Sequence, residues 1–298
     1  MAKMYKGFNK DLTCTPADGV KFQYEEGKTY TEESTDLCKK GFHACEMPLN
    51  CFSYYPPAGS VYHEVDLEEV SEKRDTDSKR VGKKITIGLR LDIAGLIKAQ
   101  FEWVKKQTKN EYRGGYQSAL TGGYQSALTG GDQSALTGGD QSALTGGYQS
   151  ALTGGRQSAL TGGYQSALTG GYQSALTGGY QSALTGGDQS ALTGGYQSAL
   201  TGGRQSALTG GYQSALTGGD QSALTGGDRS ALTGGSASVL RGGEGSRFCG
   251  GLWSVFACEI IDKLDNIVGM AVAVVDGETI KPDTWYKVEN GEFVEVKE

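Results

Sequence analysis

The sequence predicts a mainly β protein: a β-solenoid of about eight 16-residue coils, capped by a small α+β N-terminal domain and a C-terminal antiparallel β-meander. Three observations predict it. Between Gly114 and Gly243 an eight-residue unit, GGYQSALT with one variable position, repeats without slippage, and QSAL alone occurs 14 times. Of the 48 glycines in 298 residues, most fall in that stretch. The flanking segments read instead as ordinary globular sequence with alternating apolar runs. Three parts follow: 1–113, an α+β domain ending in a capping helix at about 93–107; 114–243, the solenoid; and 244–298, a β-rich cap.

Within residues 1–113, VYHEVDL at 61–67 and KITIGLRLDI at 84–93 alternate with period two and predict strands. Ile93, Leu96, Ile97, Phe101 and Val104 share one helical face immediately before the first octad. An open solenoid end exposes a bare strand edge and an apolar core, so this helix is assigned as the N-terminal cap.

In the octad, period two along Gln-Ser-Ala-Leu-Thr places Ser and Leu on one face and Gln, Ala and Thr on the other. Leucine must point inward, so Leu120, Leu128, Leu136, Leu144, Leu152, Leu160, Leu168 and Leu176 with their successors form the core, accompanied by serines such as Ser118 and Ser126. Thr121, Thr137, Thr153, Thr169 and Thr185 belong to an outward ladder. The Gly-Gly pairs are read as corners tolerating positive φ. Eight residues are too few to circle a coil, so two octads, one per flat face, make 16. A disordered linker is the competing reading of such a biased segment, but a spacer has no physical need of a leucine held at strict phase over 130 residues.

The variable position tests the 16-residue coil. Odd octads carry Tyr116, Asp132, Tyr148, Tyr164, Tyr180, Tyr196, Tyr212 and Asp228; even octads carry Tyr124, Asp140, Arg156, Tyr172, Asp188, Arg204, Asp220 and Ser236. One edge is thus rich in tyrosine, and the other holds each arginine one coil from an aspartate, about 4.8 Å away in a parallel ladder. Duplication of a 48-residue block would produce the same asymmetry. The tyrosines Tyr116, Tyr148, Tyr164, Tyr180, Tyr196 and Tyr212 form a candidate interface stripe, because an aromatic ring with a hydroxyl suits both apolar and wet surroundings; a ladder that stabilises the fold is the alternative.

The phase Ser118-Ala119-Leu120-Thr121-Gly122, with a tyrosine just after the glycine corner, resembles the 16-residue coils of bacterial ice-nucleation proteins. That resemblance implies a β-solenoid with inward Ser and Leu, a tyrosine ladder that pairs molecules and a T-x-T face that orders water. The sequence departs at the last feature, having Gln-Ala-Thr on every octad, which weakens the ice reading. The phrases MYKGFNKDLTC, KKGFHACEMPLNCFSYYPP and KITIGLRLDIAGLIKA resemble a domain found ahead of such repeats in uncharacterised phage and prophage proteins, and bring no activity.

After Gly243, VFACEII, IVGMAVAVV and WYKVENGEFVEV predict three or four antiparallel strands, with turns at Asp265-Asn266, Asp276-Gly277 and Asn290-Gly291. So short a sheet is marginal alone and gains stability by packing on the last coil.

Charge and composition narrow the function. The three parts carry net charges of +1 (19 Lys/Arg, 18 Asp/Glu), −1 (4 and 5) and −6 (5 and 11), which sum to −6, so the dense basic surface of a nucleic-acid binder is missing. The N-terminus shows no apolar leader and no window reads as membrane-spanning, so a bacterial or phage-infected cytoplasm is expected. Six cysteines are too sparse for a disulfide scaffold and are expected as thiols. Cys38, His43, Cys45 and Cys51 are spaced poorly for zinc, so neither metal nor cofactor is expected. The acidic group Glu64, Asp66, Glu68, Glu69 and Glu72 reads as a solvated face. With two histidines and no nameable catalytic set, the expectation is a non-enzymatic structural protein that self-associates as a homodimer through its tyrosines. Ice or ordered-water binding by Gln-Ala-Thr faces, and a display rod for an N-terminal domain that binds an unknown protein partner, are the alternatives.

Overall fold

A computed structural model describes residues 2–14, 21–35, 40–71, 78–107, 110–262 and 266–297. Two compact units divide the chain, Met1–Trp103 and Val104–Glu298.

In the first unit the long strands Ser60–Val70 and Lys79–Leu91 pair antiparallel. Ala2–Asn9 adds to the first of them, and Phe42–Cys45 joins Ala2–Asn9 to Lys79–Leu91, so four strands close in a ring. Thr29–Thr31 extends the sheet beyond Lys79–Leu91. Phe8, Met4, Val65, Leu67, Ile85 and Ile87 fill the interior. Both strands predicted here exist, and the second ends at Leu91, two residues early. There Asp92 begins the helix Ile93–Gln107 by accepting the amide of Gly95 at 2.7 Å, an N-cap that satisfies one orphan donor. Leu96 and Val104 are fully buried on the predicted face.

The second unit is a β-solenoid of about nine turns. Successive octads alternate between two sheets, and each Ala-Leu-Thr strand pairs in parallel with the one 16 residues on, as Leu160 with Leu176 and Leu168 with Leu184. The ladder reaches beyond the octads. Asn110–Arg113 already pairs with Ser126–Thr129, and Arg247–Gly250 and Val255–Ile261 still run parallel to their predecessors.

Every leucine from Leu128 to Leu240 is at most 1% exposed, while Leu120, in the first strand of its sheet, is partly buried. Serine completes the core with its hydroxyl hydrogen-bonded along most of the array, Ser126 Oγ near the start being an unpartnered exception. Ser190 Oγ accepts the amide of Ser174 at 3.2 Å and donates to the Gly171 carbonyl at 3.2 Å, and the pattern recurs along the array.

Two features differ from the sequence reading. In most octads the strand comprises only Ala, Leu and Thr and never reaches the glutamine, because each repeat glutamine lies in the left-handed region at φ 53 to 58. The repeat Gly-Gly pairs, in contrast, do not adopt positive φ. They are small because space demands it. A Cβ on Gly154 would stand 2.8 Å from both Ser158 Cβ and Leu160 Cδ1, and one on Gly163 would stand 2.9 Å from the Gly147 carbonyl carbon in the neighbouring coil. One glycine admits the serine, and the other lets consecutive corners nest.

The C-terminal strands end the ladder by reversing direction. Ile267–Val274 pairs antiparallel with Val255–Ile261, and Tyr286–Glu289 with Arg247–Gly250, followed by the hairpin to Glu292–Glu295. Asn290 and Gly291, at φ 50 and 84, make the predicted two-residue turn. Phe248 and Phe256 replace the core leucines, and Phe293 packs on both at 5.6 and 5.8 Å.

Candidate functional site

The two corners of each coil form two edges of the solenoid, and their chemistry differs. On the odd edge Tyr148, Tyr164, Tyr180, Tyr196 and Tyr212 stack face to face, with centroids 4.8 to 5.4 Å apart and planes within 15°. The central pair, Tyr164 and Tyr180, is parallel to 1°. Burial against these neighbours, and then their own phenols, raises the Tyr180 pKa. Asp132 and Asp228 bound the stack, and Tyr116 stands apart beyond Asp132. The structure therefore gathers five of the six predicted interface tyrosines into one continuous stripe.

The stripe is held from behind by a hydrogen-bond ladder absent from the sequence reading. Tyr148 Oη donates to Gln165 Oε1 at 2.9 Å, and Gln149 Nε2 donates to the same oxygen at 3.3 Å. Gln165 passes the pattern on to Gln181 at 3.1 Å. The left-handed backbone that breaks the strand is what aims each glutamine along the stack. Such a conformation costs a non-glycine residue about 1–2 kcal/mol, and the in-register amide ladder offsets it.

Aspartate at the variable position works differently from tyrosine. Asp132, Asp140, Asp188, Asp220 and Asp228 each accept, through Oδ1, the backbone amide of the variable residue one coil later, at 2.7 to 3.1 Å. The expected Asp–Arg neighbours thus meet mainly through the arginine backbone. Arg204 Nε does reach Asp220 Oδ2 at 4.0 Å, while the Arg156 guanidinium lies 5.5 Å over the Tyr172 ring.

Of the outward threonines, Thr121, Thr137, Thr153, Thr169 and Thr185 lie in register on one sheet and are exposed, beside the equally exposed alanines Ala135, Ala151, Ala167 and Ala183. Because glutamine turns away at the corner, this face is Ala-Thr rather than Gln-Ala-Thr. On the other sheet Ala143, Ala159, Ala175, Ala191 and Ala207 are buried.

In the first unit, His43, Cys45 and Cys51 belong to no group of three or more His, Cys, Asp or Glu suited to a metal among the described residues, and Cys38 and Glu72 lie outside those residues. Cys14, Cys51, Cys249 and Cys258 are buried free thiols. The sequence reading missed Lys6, which is buried, donates to the His43 carbonyl at 2.8 Å and approaches the rings of Phe8 and Tyr24. Burial lowers its pKa, partly countered by Cys14, Cys45 and Cys51. The signal was present, since alternation places Lys6 on the inward face with Met4 and Phe8. No described helix is long and apolar enough to cross a membrane.

Residues 2–99 match the model of a family described as a domain of unknown function (DUF7666). No curated protein and no solved structure matches the chain.

Proposed function

We propose that this chain is a non-enzymatic structural protein whose solenoid associates laterally with a second copy through the tyrosine stripe. The observation that carries the reading is the unbroken stack from Tyr148 to Tyr212, whose rings are partly or largely exposed. A row of five parallel aromatics offers a flat apolar surface edged by hydroxyls, two of them, on Tyr148 and Tyr180, oriented by glutamine, the mixed chemistry that protein interfaces favour. Aspartates at either end limit its length and disfavour sliding. The double variant Tyr164→Asp/Tyr180→Asp tests it: the proposal expects a folded chain of lower association by light scattering, and an unchanged oligomer overturns the tyrosine interface.

A second reading rests on the exposed, in-register Ala-Thr ladder, which could order water or bind ice. Its narrow two-residue width, without the glutamine, favours it less. Recrystallisation inhibition that disappears in Thr153→Lys/Thr169→Lys would support it; inhibition that is absent, or indifferent to both changes, removes it.

A further inference from the structure

The even edge carries a second self-complementary surface of a different kind. Its variable positions read Asp140, Arg156, Tyr172, Asp188, Arg204 in consecutive coils. Reversing this order and laying it against itself about Tyr172 sets Asp140 against Arg204, Arg156 against Asp188, and Tyr172 against its own copy. Every charge within these five coils then meets its opposite, and Asp220, one coil further, falls opposite Tyr124. A parallel arrangement in the same register sets each charge against its like. We propose that the even edge binds the even edge of a second copy in antiparallel orientation, with the two-fold axis at Tyr172.

Three observations support this occupant. First, Asp140, Arg156, Asp188 and Arg204 are all exposed. Second, their charges are poorly matched within the chain. The Arg156 guanidinium makes no ion pair among the described residues, and Arg204 meets Asp220 only at 4.0 Å. The Asp140 and Asp188 Oδ1 atoms hold backbone amides, which fixes the carboxylates in place. Third, both partners have the same coil spacing, so a match at one coil is kept along the edge. Five variable positions span about 20 Å at ladder spacing, and the near-parallel rings of the opposite edge show how little the corner rotates per coil.

The interface would hold four interchain Asp–Arg pairs around one tyrosine pair. Exposed ion pairs are individually weak and screened by salt, so the contact is salt-sensitive and weaker than the tyrosine stripe. With both edges in use, one solenoid contacts two neighbours, and association can pass beyond a dimer. The inference concerns a surface separate from the proposed tyrosine interface and does not depend on it.

The test uses the full chain carrying Tyr164→Asp/Tyr180→Asp, so that the odd edge is silenced, and measures sedimentation equilibrium in 50 mM and 500 mM NaCl. The proposal expects self-association at low salt that weakens by about tenfold or more at high salt. Adding Arg156→Asp/Arg204→Asp should leave a monomer, and Asp140→Arg/Asp188→Arg should do the same. Mixing these two variants should restore a heterodimer, since opposite edges then face each other. A chain that is monomeric at low salt, an association indifferent to salt, or one unmoved by the arginine reversals overturns the proposal. If the aspartate variant fails to fold by circular dichroism, the salt series and the arginine reversals decide alone.

Discussion

The carboxylate of Asp188 accepts the backbone amide of Arg204, one full coil later, at 2.8 Å. The same bond recurs at every aspartate of the variable position. It gives aspartate a role at these corners unlike that of tyrosine: Tyr148 and Tyr180 join the glutamine ladder, whereas aspartate satisfies an amide. Charge-assisted bonds of this type are worth about 1.5–3 kcal/mol when desolvated and less when exposed. Asp188→Ala is therefore expected to lower stability by about 1 kcal/mol, and Asp188→Asn by less, in urea unfolding followed by circular dichroism. Gly203 has no room for a side chain, because Asp188 Oδ1 fills the position of its Cβ. Gly203→Ala should thus destabilise more than Asp188→Ala.

Core substitutions separate the two inward residues. Leu192→Ala removes a fully buried side chain and should cost about 2.7–5 kcal/mol. Ser190→Ala is smaller in volume, but it strands the Ser174 amide and takes from the Gly171 carbonyl one of its two donors, the Gly187 amide remaining, at a cost of about 1–3 kcal/mol. Ser190→Val, which fills space yet restores neither bond, should not rescue it. Thermal unfolding of the three variants checks the order.

The inward alternation of serine and leucine, the 16-residue coil and the two unlike edges were all readable from phase alone, since period two and a strict repeat leave little freedom. The glutamine was misjudged for a physical reason. Propensity places the left-handed residue at glycine, but here the glycines are spent on close approach, at Gly154 against Ser158 and at Gly163 against Gly147. The turn then falls on Gln165 and its equivalents, where a side-chain ladder compensates. The aspartate bonds were illegible because an Asp beside an Arg suggests an ion pair, and only coordinates reveal that the backbone amide lies nearer. Lys6 was legible in principle, by alternation with Met4 and Phe8.

Buried Lys6 gives the first unit a pH signature. Its folded pKa lies below the ordinary 10.5 because burial disfavours the ammonium. Between the lowered value and 10.5 the unfolded chain binds more protons, so stability should rise with pH through that window. Lys6→Met should flatten the rise. Denaturant midpoints between pH 7 and 10, followed by fluorescence, check the sign, and a fall carried by Lys6 would contradict it.

Cys258 should be protected from alkylation. Burial, then Glu259, push its thiol up to about 11, and its Sγ donates to the Gly243 carbonyl at 3.3 Å. The nucleophilic thiolate is therefore scarce at pH 8. Iodoacetamide labelling read by mass spectrometry should leave Cys258 unmodified in the folded chain and label it promptly in urea. Rapid labelling without denaturant would show that the cap opens.

Whether the solenoid's edges bring copies together is read by light scattering on the intact chain across a concentration series at physiological salt. Association through the edges gives a mass that climbs with concentration to at least two protomers, and that falls back in Tyr164→Asp/Tyr180→Asp. A single-protomer mass at every concentration would contradict it, leaving the stacked tyrosines as a ladder that serves the fold alone.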